Sequence, residues 1–190
     1  SPAIRVGRLR ESVQIIKKMW TEPKVSFEGK YYSLREAFNE PKPVQKPHPP
    51  IWIGGGGEKL TLRIVAELAD GCNFWGLTPS EYLRKLNSLQ LHCSSLRKSI
   101  DGISKSWGGE ALVFGGEVKL EKMAERYRPR SMSVEDYVRR HIVGTPEHCV
   151  GKIKEYVKMG VNYFMLFFPD IVDGQSIEIF AKEVVPACRK

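Results

Sequence analysis

The alternation of predicted strands and helices is the feature that most constrains this chain. Four segments predicted as strands, which begin near Ile51, Cys72, Ile103 and Val161, are each followed by a predicted helix. The clearest helices carry apolar residues at three- and four-residue steps, as amphipathic helices do. Because strands that alternate with helices form a parallel sheet with the helices outside it, the sequence predicts an α/β fold.

The chain is predicted to form a single domain, since 190 residues suffice for one hydrophobic core. Residues 1–50 are predicted to contain an amphipathic helix from Leu9 to Trp20, a hairpin from Lys24 to Tyr32 that turns at Glu28-Gly29, and a connector with five prolines from Pro41 to Pro50. Residues 51–106 are predicted to contain three strands, and residues 107–143 an insertion with a strand at Ala111 to Phe114 and a polar helix. Residues 144–190 form the last predicted unit.

Several boundaries follow from capping residues, glycine and proline. Thr78-Pro79 and Thr145-Pro146 each place a capping hydroxyl before a proline, which is typical of a helix N-terminus. Gly160 is expected in the left-handed conformation that ends a helix, and Pro186 is expected to end the last helix. The run from Val161 to Phe168 is almost wholly apolar, which predicts a strand buried on both faces.

The residue types that bind metals are scattered. The cysteines form no C-x-x-C pair, and the histidines are equally dispersed. We therefore predict no metal site and reduced, mostly buried thiols. No apolar stretch approaches the roughly 18 residues of a membrane span, and the first residues lack the apolar core of a signal peptide. The expected location is cytoplasmic, without membrane association.

Basic residues outnumber acidic ones, with 30 Lys and Arg against 22 Asp and Glu and a formal net charge of +8. This charge suits an acidic small ligand, a nucleic acid or solubility alone. The densest basic run, Arg126 to Arg130, contains one aromatic residue and matches no nucleic-acid motif. We interpret this run as a solvated loop and predict no nucleic-acid partner.

A run of glycines follows the predicted strand at Ile51 and precedes a helix. Backbone N–H groups at a helix N-terminus have no intrahelical partner and favour anions, so Gly55, Gly56 and Gly57 form a candidate phosphate site. A tight turn without a ligand is the alternative. Asn73 and Trp75, which end the next strand, would open onto the ligand-binding edge of the sheet, with packing inside a barrel as the alternative for both.

Several segments resemble one family of proteins. The residues that carry the resemblance are Phe27-Glu28-Gly29-Lys30-Tyr31-Tyr32, the connector from Pro41 to Pro50 with the Ile51-Trp52-Ile53-Gly54-Gly55 that follows it, Ala69-Asp70-Gly71-Cys72-Asn73, Val143-Gly144-Thr145-Pro146-Glu147 and Gly160-Val161-Asn162-Tyr163-Phe164-Met165-Leu166. In order and spacing they resemble the luciferase-like oxidoreductases, which include bacterial luciferase and enzymes that depend on coenzyme F420. The resemblance implies a TIM-barrel type (β/α)8 fold, of which this sequence resembles the C-terminal half, strands five to eight.

The resemblance implies an oxidoreductase that binds coenzyme F420, with FMN as the alternative. Such an enzyme acts on a small-molecule substrate by hydride transfer or by monooxygenase chemistry, and its coenzyme phosphate would lie at Gly55, Gly56 and Gly57. The family's first four strands supply much of the coenzyme pocket and are not matched by this sequence, so no catalytic residue is assigned. The second hypothesis is a non-catalytic half-barrel that binds a flavin-like ligand or a protein partner.

Half of a barrel would leave two unpaired strand edges and an exposed apolar face. We therefore expect a homo-oligomer, or an N-terminal half-barrel partner, to cover these surfaces.

Overall fold

The structure is a computed structural model that describes residues 1–115, 120–172 and 174–189. The chain divides into two compact units. The first unit comprises Ser1–Cys72 and Asn87–Ile103, and the second comprises Asn73–Leu86 and Ser104–Lys190. The prediction of a single domain remains a prediction.

The first unit begins with a long helix and an antiparallel hairpin. Its elements are α1 (Pro2–Thr21), β1 (Val25–Glu28), β2 (Ser33–Ala37), β3 (Trp52–Gly54) and α2 (Thr61–Leu68). It also holds the start of β4 (Gly71–Trp75) and the end of α3 (Pro79–Ser95), both of which continue into the second unit. The proline-rich connector contains neither helix nor strand among its described residues, which confirms the prediction.

The hairpin differs from its prediction because a helix holds its loop. The carboxylate of Glu11, in α1, accepts hydrogen bonds from the backbone N–H groups of Lys30, Tyr31 and Tyr32, each at 2.9 Å. These residues therefore form the loop between β1 and β2, and the second strand begins only at Ser33. A carboxylate twenty residues away in the chain decides this boundary, which local turn residues did not reveal.

The second unit is built around one long strand. The strand β5 (Ser104–Val113) pairs in parallel with β7 (Tyr163–Phe167) along its first half and with β6 (Ile142–Gly144) at its end. The helices of this unit are α4 (Leu120–Tyr127), α5 (Val134–Arg140), α6 (Pro146–Lys158), α7 (Gln175–Ile179) and α8 (Val185–Cys188).

The continuity of β5 corrects a sequence prediction. A strand ending near Ser106 and an insertion beginning at Trp107 were expected, yet one strand runs through both. Within this strand Gly108 serves close packing. A Cβ atom there would lie 2.7 Å from Cε3 of Trp75, so the absence of a side chain lets the indole lie across the strand.

Helix capping follows the sequence closely. Thr78 and Glu81 form a reciprocal box at the start of α3, in which the Thr78 hydroxyl accepts the Glu81 N–H at 3.4 Å and the Glu81 carboxylate accepts the Thr78 N–H at 3.0 Å. Thr145 caps α6 by accepting the N–H of His148, and Gly160 follows α6 with a φ of 93°. Both predicted helix starts and the left-handed glycine are confirmed.

The end of the chain departs from its prediction. Pro186 was expected to end the last helix, but helical structure continues to Cys188. A π-helical turn at Phe180–Val184 precedes α8, and Pro186 lies in the first positions of α8. A proline is tolerated there because the first N–H groups of a helix have no intrahelical acceptor.

One face of β7 is exposed, which corrects the prediction that this strand is buried on both faces. Tyr163, Met165 and Phe167 are 56%, 46% and 53% exposed. The opposite face packs inward, where Phe164 lies 6.3 Å from the buried ring of Trp107. Trp75 of β4 is also exposed, at 54%, so it does not belong to the buried core of this chain. We call Trp75, Tyr163, Met165 and Phe167 the apolar face.

None of the described helices is both long and apolar enough to cross a membrane. Within the same residues, no group of three or more His, Cys, Asp or Glu side chains could hold a metal ion.

Candidate functional site

The glycine run lies in the first unit, between β3 and α2. Gly55 has a φ of 117°, a conformation that side chains strongly disfavour, so glycine is required there. A Cβ atom on Gly57 would lie only 2.8 Å from Oγ1 of Thr61, the first residue of α2. The loop is therefore shaped by residues without side chains at the N-terminal end of a helix.

The backbone N–H groups of this loop are available to a ligand. Within the described chain, none of the N–H groups of Gly55, Gly56 and Gly57 donates a hydrogen bond, whereas the Gly57 carbonyl accepts one from Leu62 at 3.0 Å. The sequence predicted that the helix would follow the glycines closely, but a turn at residues 58–60 comes between them. The unused donors and the missing side chains fit a phosphate group.

Asn73 lies in the second unit and is held within the sheet. Its amide donates to Oγ of Ser106 at 2.6 Å and approaches Sδ of Met165 at 3.2 Å. These contacts fix the side chain on the face that also carries Met165. Its role in binding a coenzyme remains a prediction.

The sequence did not identify a second polar site, which lies in the second unit around Glu110 of β5. Oε2 of Glu110 accepts a hydrogen bond of 2.5 Å from the hydroxyl of Tyr137, and the Glu110 backbone N–H donates to Nδ1 of His141 at 3.0 Å. The Tyr137 and His141 rings lie 4.9 Å apart. These residues fall in the segment interpreted as an insertion, where no local sequence signal joins a strand residue to residues at the end of α5.

The protonation states in this cluster follow from burial. Burial and then the hydrogen bond to Glu110 raise the pKa of the Tyr137 hydroxyl well above its usual range, so Tyr137 remains the donor. Burial, followed by the charges of Lys152 and Arg140, lowers the pKa of His141 to about 4. His141 is therefore neutral at physiological pH, and its Nδ1 is free to accept the Glu110 N–H.

Neighbouring charges brace the helices that carry this cluster. Arg140, at the end of α5, binds both carboxylate oxygens of Glu81 at 2.7 and 2.9 Å. This hydrogen bonding, against the opposing effect of burial, lowers the pKa of Glu81 to about 2. The ammonium group of Lys152 donates to the carbonyls of Val138 and Arg139 at 2.6 and 2.9 Å, which caps the C-terminal end of α5.

Loss of stability in acid is expected from His141. Its pKa is about 4 in the folded protein against 6.5 ordinarily, so the unfolded chain takes up a proton first as pH falls. Its contribution to the free energy of unfolding is present above pH 6.5 and is lost between pH 6.5 and 4, by about 2 to 3 kcal/mol. Urea unfolding of His141→Gln from pH 7 to 4.5 should show most of this slope removed. The matched control is His148→Gln, because His148 is exposed; equal slopes in the two variants would contradict the assignment.

Comparison with known proteins gives a consistent picture. The model of the family described as luciferase-like monooxygenase matches residues 1–94. The F420-dependent glucose-6-phosphate dehydrogenase of Microbacterium testaceum is 27% identical over 98% of this chain and 62% of its own length. The enzyme of the same name from Mycobacterium tuberculosis is 24% identical over 98% of this chain and 62% of its own length.

These matches bear out the predicted resemblance to the luciferase-like family. The structure of the chain matches an F420-dependent secondary alcohol dehydrogenase, solved with an F420–acetone adduct, with a TM-score of 0.84 at 20% identity over 99% of this chain and 63% of the other. It also matches the EDTA monooxygenase of Chelativorans with a TM-score of 0.77 at 14% identity, over 98% of this chain and 60% of the other.

These matches confirm the predicted fold class, an α/β fold of the TIM-barrel type found in luciferase-like enzymes. The chain spans 62% of the length of these curated relatives. The match therefore covers part of each relative, and activity, substrate and partners are taken up as proposals below.

Proposed function

We propose that this protein is the coenzyme-binding part of an F420-dependent oxidoreductase, in which Gly55, Gly56 and Gly57 bind the coenzyme phosphate. The observation that carries the proposal is the set of three unused backbone N–H groups beside a helix N-terminus. Bound F420 would supply a ring that accepts or donates a hydride. The chain's own contribution is to hold the phosphate and so to fix where that ring lies.

Two observations favour F420 over FMN. The curated relatives described above are named F420-dependent enzymes, whereas the monooxygenase resemblance is structural and at lower identity. The net charge of +8 also suits the acidic tail of F420. FMN remains the alternative coenzyme, with monooxygenase chemistry in place of hydride transfer between coenzyme and substrate.

We further infer a small-molecule substrate and a cytoplasmic location. The location is supported by the cysteines, since Cys72, Cys93 and Cys149 are buried free thiols. Association with a second copy or with an N-terminal half-barrel is supported by the apolar face of the second unit. A non-catalytic half-barrel that uses this face for a protein partner is the second candidate function.

A single substitution tests the proposed coenzyme site. Gly56→Asp places a carboxylate among the N–H donors and should weaken F420 binding at least tenfold, since a lost hydrogen bond to a charged group costs about 1.5 to 3 kcal/mol. Binding is measured by the coenzyme's fluorescence, with FMN and inorganic phosphate titrated in parallel. Each titration is run on the chain alone and again with an N-terminal half-barrel added, which is called the complementary half.

The matched control is Gly102→Asp in the same unit, because a side chain at Gly102 would enter open space. Both variants are compared at equal folded fraction, measured by circular dichroism. Equal affinities of wild type and Gly56→Asp for F420 would show that the glycine run is only a tight turn. No F420 or FMN binding with the complementary half present would favour the non-catalytic candidate.

A further inference from the structure

Glu110, a polar residue of β5, lies on the same side of the sheet as the apolar face. The parallel register pairs Ser106 with Tyr163, Gly108 with Met165 and Glu110 with Phe167. Side chains of paired residues point to the same face of a sheet, so Glu110 belongs to this face. It lies at the carboxyl end of the paired segment, which is the end where barrel enzymes of this type bind their ligands.

The Glu110 carboxylate is held in place yet keeps an acceptor to spare. Its Oε2 accepts the Tyr137 hydroxyl at 2.5 Å, and its backbone is fixed by His141. Its Oε1 has no hydrogen-bond partner among the described residues, and Glu110 is only half-buried. A carboxylate oxygen can therefore meet a ligand without disturbing the contacts that position it.

A second carboxylate near the same tyrosine is also short of donors. Asp170 is 5% exposed, and its Oδ2 accepts the N–H of Ser176 at 3.0 Å. Its Oδ1 is buried and has no partner in the described chain. Asp170 lies close enough to Tyr137 to act on its pKa together with Glu110. The cluster thus holds more acceptors than donors, and buried acceptors without donors are costly.

Neither carboxylate of the cluster, Glu110 or Asp170, is paired with a cation in the part of the chain that the structure describes. Such a site attracts hydroxyl or amine donors and repels anions, because like charges at close range are unfavourable. A phosphorylated substrate would meet the carboxylate of Glu110 here, whereas Asp170 is buried.

We propose that Glu110 is a specificity-determining residue that contacts the substrate and selects an uncharged, hydroxyl-bearing molecule over a phosphorylated one. The inference rests on the proposed oxidoreductase function and deepens it by naming the substrate class. Glu110 would accept a hydrogen bond from a substrate hydroxyl, with Asp170 adding negative charge behind it. The preference is opposite to that named for the glucose-6-phosphate dehydrogenases among the relatives.

Glucose and glucose 6-phosphate make a suitable pair of probes, since they differ only in the phosphate. Trp75 lies across Gly108, next but one to Glu110 in the strand, so its indole N–H resonance reports on this face. The protein has four tryptophans, so a nitrogen-15 spectrum contains four indole signals, and Trp75→Phe assigns the relevant one. Wild-type protein should bind glucose at least tenfold more tightly than glucose 6-phosphate. Equal affinities, tighter binding of the phosphate or no response to either probe would overturn the proposal.

Glu110→Gln should reduce the ratio of glucose affinity to glucose 6-phosphate affinity at least fivefold, because the amide carries no charge to repel the phosphate. Glu135→Gln, an exposed residue on α5, is the matched control and should leave the preference unchanged. Equal preferences in the two variants would also overturn the proposal. If Glu110→Gln does not fold, the wild-type comparison still decides. F420 binding is measured separately by its own fluorescence, so failure of the coenzyme site and failure of the Glu110 site give different results.

Discussion

Replacing Glu11 by alanine should lower the free energy of unfolding of the first unit by about 3 kcal/mol. The Glu11 carboxylate is 9% exposed and accepts three backbone N–H groups of the loop between β1 and β2. Hydrogen bonds to a charged group contribute about 1.5 to 3 kcal/mol each, but water can reach part of this exposed loop after the substitution. The expected loss is therefore smaller than the sum of three such bonds.

Urea denaturation followed by circular dichroism measures the effect at neutral pH. Glu22→Ala is the matched control, since Glu22 follows the same helix and forms an exposed ion pair with Lys18 at 3.0 Å. Exposed ion pairs contribute about 0 to 1 kcal/mol, so this control should change little. A loss below 1 kcal/mol for Glu11→Ala would show that the loop holds its shape without the carboxylate.

The 190-residue chain by itself should not persist as a monomer at micromolar concentration. Tyr163, Met165, Phe167 and Trp75 leave a contiguous apolar surface on one side of the second unit, and proteins rarely keep such a surface in water. Light scattering at protein concentrations from about 1 to about 100 micromolar should give at least twice the monomer mass over most of that range.

Polar substitutions on this surface should weaken association at least tenfold. The double variant Met165→Gln with Phe167→Gln removes two of the exposed apolar side chains and should shift the mass towards the monomer. Leu91→Gln is the control, since Leu91 is 72% exposed on α3 and does not belong to the apolar face. A wild-type chain with a monomer mass at every concentration would contradict the expectation. Equal shifts in mass for the double variant and for Leu91→Gln would contradict it as well.

Local signals in the sequence predicted the helix boundaries that depend on neighbouring residues. Thr78 and Thr145 cap their helices as expected, because a capping hydroxyl reaches only the N–H groups two or three residues ahead. Gly160 takes a positive φ for an equally local reason. The glycine run before α2 was also visible, although its distance from the helix start was not.

Contacts between distant residues decided the features that the sequence analysis missed. Glu11 sets the hairpin loop from α1, and the indole of Trp75 packs where a side chain at position 108 of β5 would lie. Neither contact leaves a periodic pattern or a turn signal in the sequence. In both cases the sequence analysis assigned the residues to the wrong local element because it could not see the partner.

The sequence by itself determined the α/β fold, the alternation of strands and helices and the resemblance to luciferase-like enzymes, because these depend on patterns along the chain. Only the tertiary structure assembled the site of Glu110, Tyr137 and Asp170, whose members are separated by up to sixty residues. It also decided that one side of β7 remains exposed. An apolar sequence specifies which side chains favour burial, but burial itself depends on which elements pack against them.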